Sequence, residues 1–240
     1  MPVISLSMLK YWPLVFAIQS VATLAGTPLE IQPVGSAVRS PTSGTIGAET
    51  DTIENHIPAT VRGKPKGSCR ELGDMPWVRG GGGDDRIYGG KVAYRLSGEK
   101  DRDFIIGSED GEIYGGEDAD TLVGYLGADR FVYNSRRDSM ADRRGRWSPT
   151  TGDTIVDFRS ADGDRIDLSH LQLLGVNAPD AYDWSGHQPQ PHSVWARPRS
   201  GDTVILVDVD GDARGDVVIR LLGRLRLSKN DFCGVVSTAP

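Results

Sequence analysis

GGGGDDRIY (residues 80–88), GEKDRDFII (98–106), GGEDADTLV (115–123) and GYLGADRFV (124–132) are four copies of one nonapeptide. Each fits G-G-x-G-x-D-x-U-x, where U is a large apolar residue. The first six residues of such a unit turn, and the last three form a short strand whose one apolar side chain faces inward. Two altered copies, GGKVAYRLS (89–97) and the eight-residue GSEDGEIY (107–114), fill the gaps. The inward set is then Ile87, Leu96, Ile105, Ile113 or Tyr114, Leu122 and Phe131, one per turn. A flexible acidic linker would have no reason to keep apolar residues in register with aspartates. The glycines serve turns that need positive φ and close backbone approach, which a Cβ would obstruct.

Two turns complete one coil, so turns two repeats apart stack on the same edge. Backbone carbonyls and the sixth-position aspartates then form an oxygen cage between stacked turns. Hard oxygen donors at that density suit calcium, not zinc or copper. The candidate metal residues are Gly80, Gly81, Gly83, Asp85, Gly98, Asp101, Asp103, Asp110, Glu112, Gly115, Gly116, Asp118, Asp120, Gly127 and Asp129. Asp85 and Asp103 are 18 residues apart, one full coil; Asp103 and Asp120 are 17 apart because 107–114 is one residue short. Two calcium sites are expected, at Asp85/Asp103 and Asp103/Asp120, so that Asp103 serves both. On the opposite edge Tyr94 stands where a carboxylate should be, which silences that half-site. A third site is left open at Asp129, facing Glu112 or Asp110.

The charge distribution points the same way. Residues 80–130 hold 12 acidic and 6 basic residues, which accounts for the whole net charge of −6. Without cations these carboxylates would repel one another.

After residue 132 the repeat stops and an ordinary β pattern follows. Residues 152–171 alternate apolar and acidic positions, and TVILVDV (203–209) and DVVIRLL (216–222) read as strands joined by an acidic turn. The repeats, the exit GADRFVYNS, then DTIVDF, DRIDL, VDVDGDARGD and a closing NDF together resemble the C-terminal domain of serralysin-type (peptidase M10) secreted zinc peptidases, with its RTX, or hemolysin-type, calcium-binding repeats. The resemblance runs from about residue 80 to 236. It implies an all-β fold, a parallel β-roll of nonapeptides followed by a β-sandwich-like cap. It also implies calcium binding, folding outside the cell and export by type I secretion machinery.

The sequence departs from that family's pattern. No H-E-x-x-H occurs, so the paired histidines and glutamate base of zinc proteolysis are absent and no zinc is expected. The export signal of the family ends near an Asp followed by apolar residues, whereas here DFCGVV (231–236) is followed by STAP. Cys69 and Cys233 are unusual for a cysteine-poor family; they form one disulfide or stay as two thiols. The loop RRDSMADRRGRW (136–147) is longer and more basic than the family's; a solvated loop is expected there, with an acidic partner, nucleic acid or a lipid headgroup as the alternatives.

Ahead of the repeats, residues 8–25 (MLKYWPLVFAIQSVATLA) resemble a secretory signal peptide if translation begins at Met8, and are otherwise an apolar tail. That stretch is too short for a transmembrane span. Residues 26–79, rich in Pro, Gly, Ser and Thr, read as a disordered linker. The expected organisation is thus a tail or signal over 1–25, a disordered arm over 26–79, a roll over 80–132 and a cap over 133–240.

Other constellations are weaker. Gly90-Lys91 lacks the flanking residues of a phosphate loop. Asp208, Asp210 and Asp212 open like an EF-hand, but Ala213 and Ile219 stand where that loop needs Gly and Glu. His187 and His192 have no nearby residues to complete a metal set, and no G-x-S-x-G elbow occurs. These readings favour a secreted, non-catalytic calcium-binding protein, with a host or cell-surface ligand as a partner and nucleic acid disfavoured. The rivals are a relative or fragment of a serralysin-like metallopeptidase and a carbohydrate-binding accessory module, against which the roll offers no exposed aromatic row.

Overall fold

The computed structural model describes residues 52–54, 69, 77–90, 95–142, 144–175 and 179–237. The fold is all-β. Among these residues lie β1 (Thr52–Glu54), β2 (Trp77–Gly81), β3 (Arg86–Tyr88), β4 (Arg95–Glu99), β5 (Phe104–Ile106), β6 (Glu112–Gly116), β7 (Thr121–Val123) and β8 (Arg130–Val132). They are followed by β9 (Thr154–Ile155), β10 (Arg165–Asp167), β11 (Tyr182–Gly186), β12 (Ser193–Arg199), β13 (Asp202–Val207), β14 (Val217–Leu221), β15 (Phe232–Cys233) and β16 (Val235–Val236). Among the described residues no helix is long and apolar enough to cross a membrane.

Through the repeats the chain changes sheet at every turn. β3, β5, β7 and β9 pair in parallel in one sheet, and β2, β4, β6, β8, β10 and β15 pair in parallel in the other. The pairing aligns Ile87, Ile105, Leu122 and Ile155 in one column. Val78, Leu96, Ile113, Phe131, Ile166 and Phe232 form the facing column. Both columns belong to one buried core. Ile113, not Tyr114, is the inward residue of the shortened turn: it is fully buried, while Tyr114 is half-buried on the outer face.

Three features of the organisation differ from the sequence reading. The parallel ladders run past residue 132 through β9 and β10, so the end of the repeat is not the end of the roll's sheets. The first sheet continues without a break into the cap as β14, β13, β12, β11 and β16, and so roll and cap share one pair of sheets. The range 26–79 supplies β1, which pairs with β3, and the first part of β2. Ile53 of β1 stands at the register position of Ile87, and β2 ends in the first two glycines of the first nonapeptide.

Cys69 forms a disulfide with Cys233, the last residue of β15, with a Cα–Cα distance of 5.5 Å. The question the sequence left open is settled by this pairing.

In the cap, β13 and β14 form the expected antiparallel hairpin, with Ile205 opposite Ile219. Every residue of β13 is buried because the sheet is covered on both faces. Its inner face joins the main core. Val204 and Leu206 join Trp195 and Val218 in a separate outer cluster, covered by Ala141 and Trp147. The basic loop is therefore not simply solvated. Met140 bridges to Val217, and the Trp147 indole N–H reaches the carbonyls of Gly152 and Asp153 at 3.0 and 3.1 Å.

Candidate metal centre

The sixth-position aspartates of one edge form a continuous ladder. The Asp85 amide donates to Asp103 Oδ1 at 2.8 Å, the Asp103 amide to Asp120 Oδ1 at 2.8 Å, and the Asp120 amide to Asp153 Oδ1 at 3.0 Å. All four aspartates are at least 96 % buried. One oxygen of each stacking carboxylate is thereby used. The other, Oδ2 of Asp103 and of Asp120, is buried without a hydrogen-bond partner.

These oxygens lie over the first glycine of their own turn. A Cβ on Gly98 would strike the Asp103 carboxylate and come within 2.6 Å of the Gly115 carbonyl oxygen. A Cβ on Gly80 would strike the Asp85 carboxylate and stand 2.9 Å from the Gly98 carbonyl, and one on Gly115 would strike the Asp120 carboxylate. Gly80 and Gly98 thus leave room where a carboxylate oxygen and the next turn's carbonyl oxygen converge, and Gly115 leaves room for the Asp120 carboxylate. Oxygen-only donors around a space no side chain can enter fit a hard cation.

The turn backbone explains the remaining conserved spacing inside the repeat. Its second and fourth positions have positive φ in all four copies: Gly81 (113°) and Gly83 (100°), Glu99 (80°) and Asp101 (72°), Gly116 (113°) and Asp118 (85°), Tyr125 (78°) and Gly127 (92°). Glycine accepts this region freely and Asp tolerates it, whereas Glu99 and Tyr125 are held there at a cost of about 1 kcal/mol or more. Asp101 is exposed and its Oδ2 accepts the Gly83 amide at 3.0 Å; Asp118 is exposed on the rim.

The opposite edge corrects the expected third pairing. Asp129 Oδ1 accepts the amide of Gly111, not a contact with Glu112. Strand register sets Glu112 against Arg130 and so Gly111 against Asp129. The residue missing from 107–114 precedes the carboxylate position, which leaves Gly111 there and moves Asp110 one place early. Asp110 Oδ1 accepts the Ala128 amide at 2.6 Å. Glu112 points to the outer face, where it pairs with Arg95 at 2.9 Å and Arg130 at 3.0 Å. Tyr94 lies outside the described residues.

Sequence reasoning missed the upper half of both ladders. Asp153 continues the first, and Asp164 continues the second by accepting the Asp129 amide at 3.0 Å. Asp157 closes the neighbouring turn, accepting the amides of Gly124 at 2.8 Å and Tyr125 at 2.9 Å. The signal for all three was the acidic-apolar alternation of 152–171, whose glycines, Gly152 and Gly163, do not follow the nonapeptide spacing.

Residues 80–234 match the family described as Peptidase M10 serralysin C terminal. The chain belongs to this family. Solved structures similar to it include two subunits of the Azotobacter vinelandii mannuronan C5-epimerase. The AlgE6R2 subunit is 21% identical, with a TM-score of 0.46, and the match covers 65% of this chain and 91% of that one. The AlgE6R3 subunit is 23% identical, with a TM-score of 0.39, covering 84% and 85%. No curated protein matches the chain.

In this serralysin C-terminal domain the ladder carboxyls hold protons far more tightly than free carboxyls do. Burial, reinforced by neighbouring carboxylates, pushes Asp103 and Asp120 up to about 8, against the pull of their amide hydrogen bonds. Asp129 is pushed up to about 9 and Asp164 to about 7 by the same causes. Asp153, fully buried beside Asp120, is raised as well. Such a stack needs either protons or bound cations to stay buried.

A second acidic group sits at the β13–β14 turn, where Asp208, Asp210 and Asp216 bring carboxylate oxygens within 4.8 Å of one another. This arrangement could hold an ion. The third member is Asp216, not the Asp212 of the EF-hand comparison; Asp212 faces Arg214. Asp208 already accepts the amides of Gly211 at 2.8 Å, Ala213 at 2.7 Å and His192 at 3.1 Å. His187 turns away, its Nδ1 lying 2.6 Å from the Ala196 carbonyl oxygen.

Proposed function

We propose that this serralysin C-terminal chain is a secreted, non-catalytic calcium-binding protein whose RTX roll orders on binding Ca²⁺ outside the cell. The buried, unpartnered Oδ2 atoms of Asp103 and Asp120 carry this reading. Asp85, Asp103, Asp120 and Asp153 would hold calcium along one edge, with the Gly98 and Gly115 carbonyls as further donors. Asp129 and Asp164 would serve the other edge. Bound calcium supplies the positive charge that lets these carboxylates stay ionised and buried.

Magnitudes favour an ion-dependent fold. One buried Ile or Leu stabilises a turn by about 1.5–3 kcal/mol. Ligand binding restricted to the folded form adds about 2.7 kcal/mol per site at a hundredfold excess over the dissociation constant. Extracellular calcium modules bind at about 10⁻⁴–10⁻³ M, which leaves them empty in a calcium-poor cytosol. The Cys69–Cys233 disulfide supports the same oxidising, extracellular setting, and type I secretion machinery is the export partner that the family membership suggests.

The test is far-ultraviolet circular dichroism of the full chain during titration with CaCl₂, MgCl₂ and EGTA. Ordering with a midpoint near millimolar Ca²⁺, and none with Mg²⁺, is the expected outcome. Equal structure in excess EGTA and in 5–10 mM-scale calcium (roughly tenfold above that midpoint) would overturn the proposal.

A further inference from the structure

The outer face of the cap carries a feature that calcium binding does not use. Arg144, Arg146, Trp147, Arg197 and Arg199 surround a groove of about 400 Å³ floored by Val204 and Leu206. Arg197 and Arg199 alternate along β12 with the buried Trp195, so all three leave the same face of the sheet. Arg144 and Arg146 come from the loop that covers that face.

The groove is built, and its charge is not neutralised. Asp142 Oδ1 accepts the amides of Arg144 at 2.8 Å and Arg146 at 2.9 Å, which fixes the loop. Arg220 lies 4.8 Å from the Trp147 ring centre and is itself held by Asp202 through its Nε at 2.9 Å. Arg199 donates to the Trp147 carbonyl at 3.2 Å. Arg146 pairs with Asp142 at 2.8 Å, but Arg144, Arg197 and Arg199 are exposed and have no carboxylate partner among the described residues. Three such guanidiniums converge here on a chain whose net charge is −6.

We infer that this groove binds an acidic polysaccharide, a chain that presents carboxylate or sulfate groups at intervals to several guanidinium forks at once. The planar guanidinium fork reaches two oxygens of such a group at once, which an ammonium does not. The groove does not suit single-stranded nucleic acid, which needs open aromatic faces for base stacking. Trp147 is covered by Arg220, and its N–H is spent on the Gly152 and Asp153 carbonyls. Val204 and Leu206 are buried, and Pro198 with part of Trp147 is too small an apolar surface to form a belt for a lipid surface.

The experiment is affinity electrophoresis and calorimetry of the full chain in calcium, with polygalacturonate, heparin, neutral dextran, single-stranded DNA and phosphatidylserine vesicles as probes. Polygalacturonate or heparin is expected to bind, dextran is not, and the tighter of the two assigns carboxylate or sulfate. R144Q/R197Q/R199Q should weaken that binding at least tenfold, while R86Q/R226Q, which removes two exposed arginines outside the groove, should not. Both variants should keep the calcium-induced dichroism change, so a failure of calcium binding and a failure of the groove read out separately. No binding of either polysaccharide, equal loss in both variants, or tighter binding of DNA or vesicles would overturn the inference.

Discussion

The amide of Asp120 donates at 3.0 Å to Oδ1 of Asp153, a residue 33 positions later and beyond the last nonapeptide. Asp120 is therefore an interior rung with a stacked aspartate on each side, as Asp103 is. Spacing alone makes Asp103 the one aspartate that would serve two sites; the ladder gives Asp120 the same position.

Asp103→Asn and Asp120→Asn should each raise the calcium midpoint at least tenfold, because each stands between two stacked aspartates. A hydrogen bond to a charged group contributes about 1.5–3 kcal/mol, or roughly ten- to a hundredfold in affinity. Dichroism titrations of the unaltered chain and the two variants measure the midpoints. An unchanged midpoint for either variant would contradict the ladder.

Acidity should stabilise the calcium-free roll. Asp103, Asp120, Asp129 and Asp164 are pushed up to about 8, 8, 9 and 7, above the value of about 3.9 in an unfolded chain. Between those limits the folded form retains protons that the unfolded form releases, so stability falls as pH rises. In EGTA the melting temperature should drop between pH 5 and pH 9 (a window set by roughly these values), and calcium should flatten or reverse that slope. A melting temperature that rises with pH in EGTA would refute this.

Arg130 lies between Glu112 at 3.0 Å and Asp167 at 2.9 Å, and all three are at least 96 % buried. Arg130→Ala leaves two carboxylates buried against each other and should cost about 3–5 kcal/mol. Urea denaturation in calcium measures this. A triple change of Arg130, Glu112 and Asp167 to apolar residues of similar size should recover much of the loss.

The disulfide closes a separation of 164 residues. Cys233→Ser should destabilise the calcium-bound chain by about 2–5 kcal/mol, mainly by freeing the unfolded ensemble. The same loss is expected from dithiothreitol on the unaltered chain, and no loss from it on the variant. Denaturation midpoints with and without reductant test both.

What the sequence disclosed depended on whether a residue's role repeated. Ile87, Leu96, Ile105, Ile113, Leu122 and Phe131 were legible because each recurs once per turn, and they fill the core as expected. Asp85, Asp103 and Asp120 were legible for the same reason. Asp153 and Asp164 were hidden because their turns are built without the glycine pattern, although they occupy the same stack. Gly111 was hidden by a deletion, since counting from the turn and counting from the strand give different answers when one residue is missing. The Cys69–Cys233 bond and the cover that Trp147 makes over Val204 and Leu206 are long-range contacts with no local signature.

Because every coil rests only on its immediate neighbours, the structure behaves as a ruler with removable segments. An in-phase insertion of about 18 residues ahead of β3 would add one strand to each sheet and lengthen the body by about 4.8 Å, leaving the far end untouched. Reach can thus be tuned in whole steps, independently of the surface displayed at the tip.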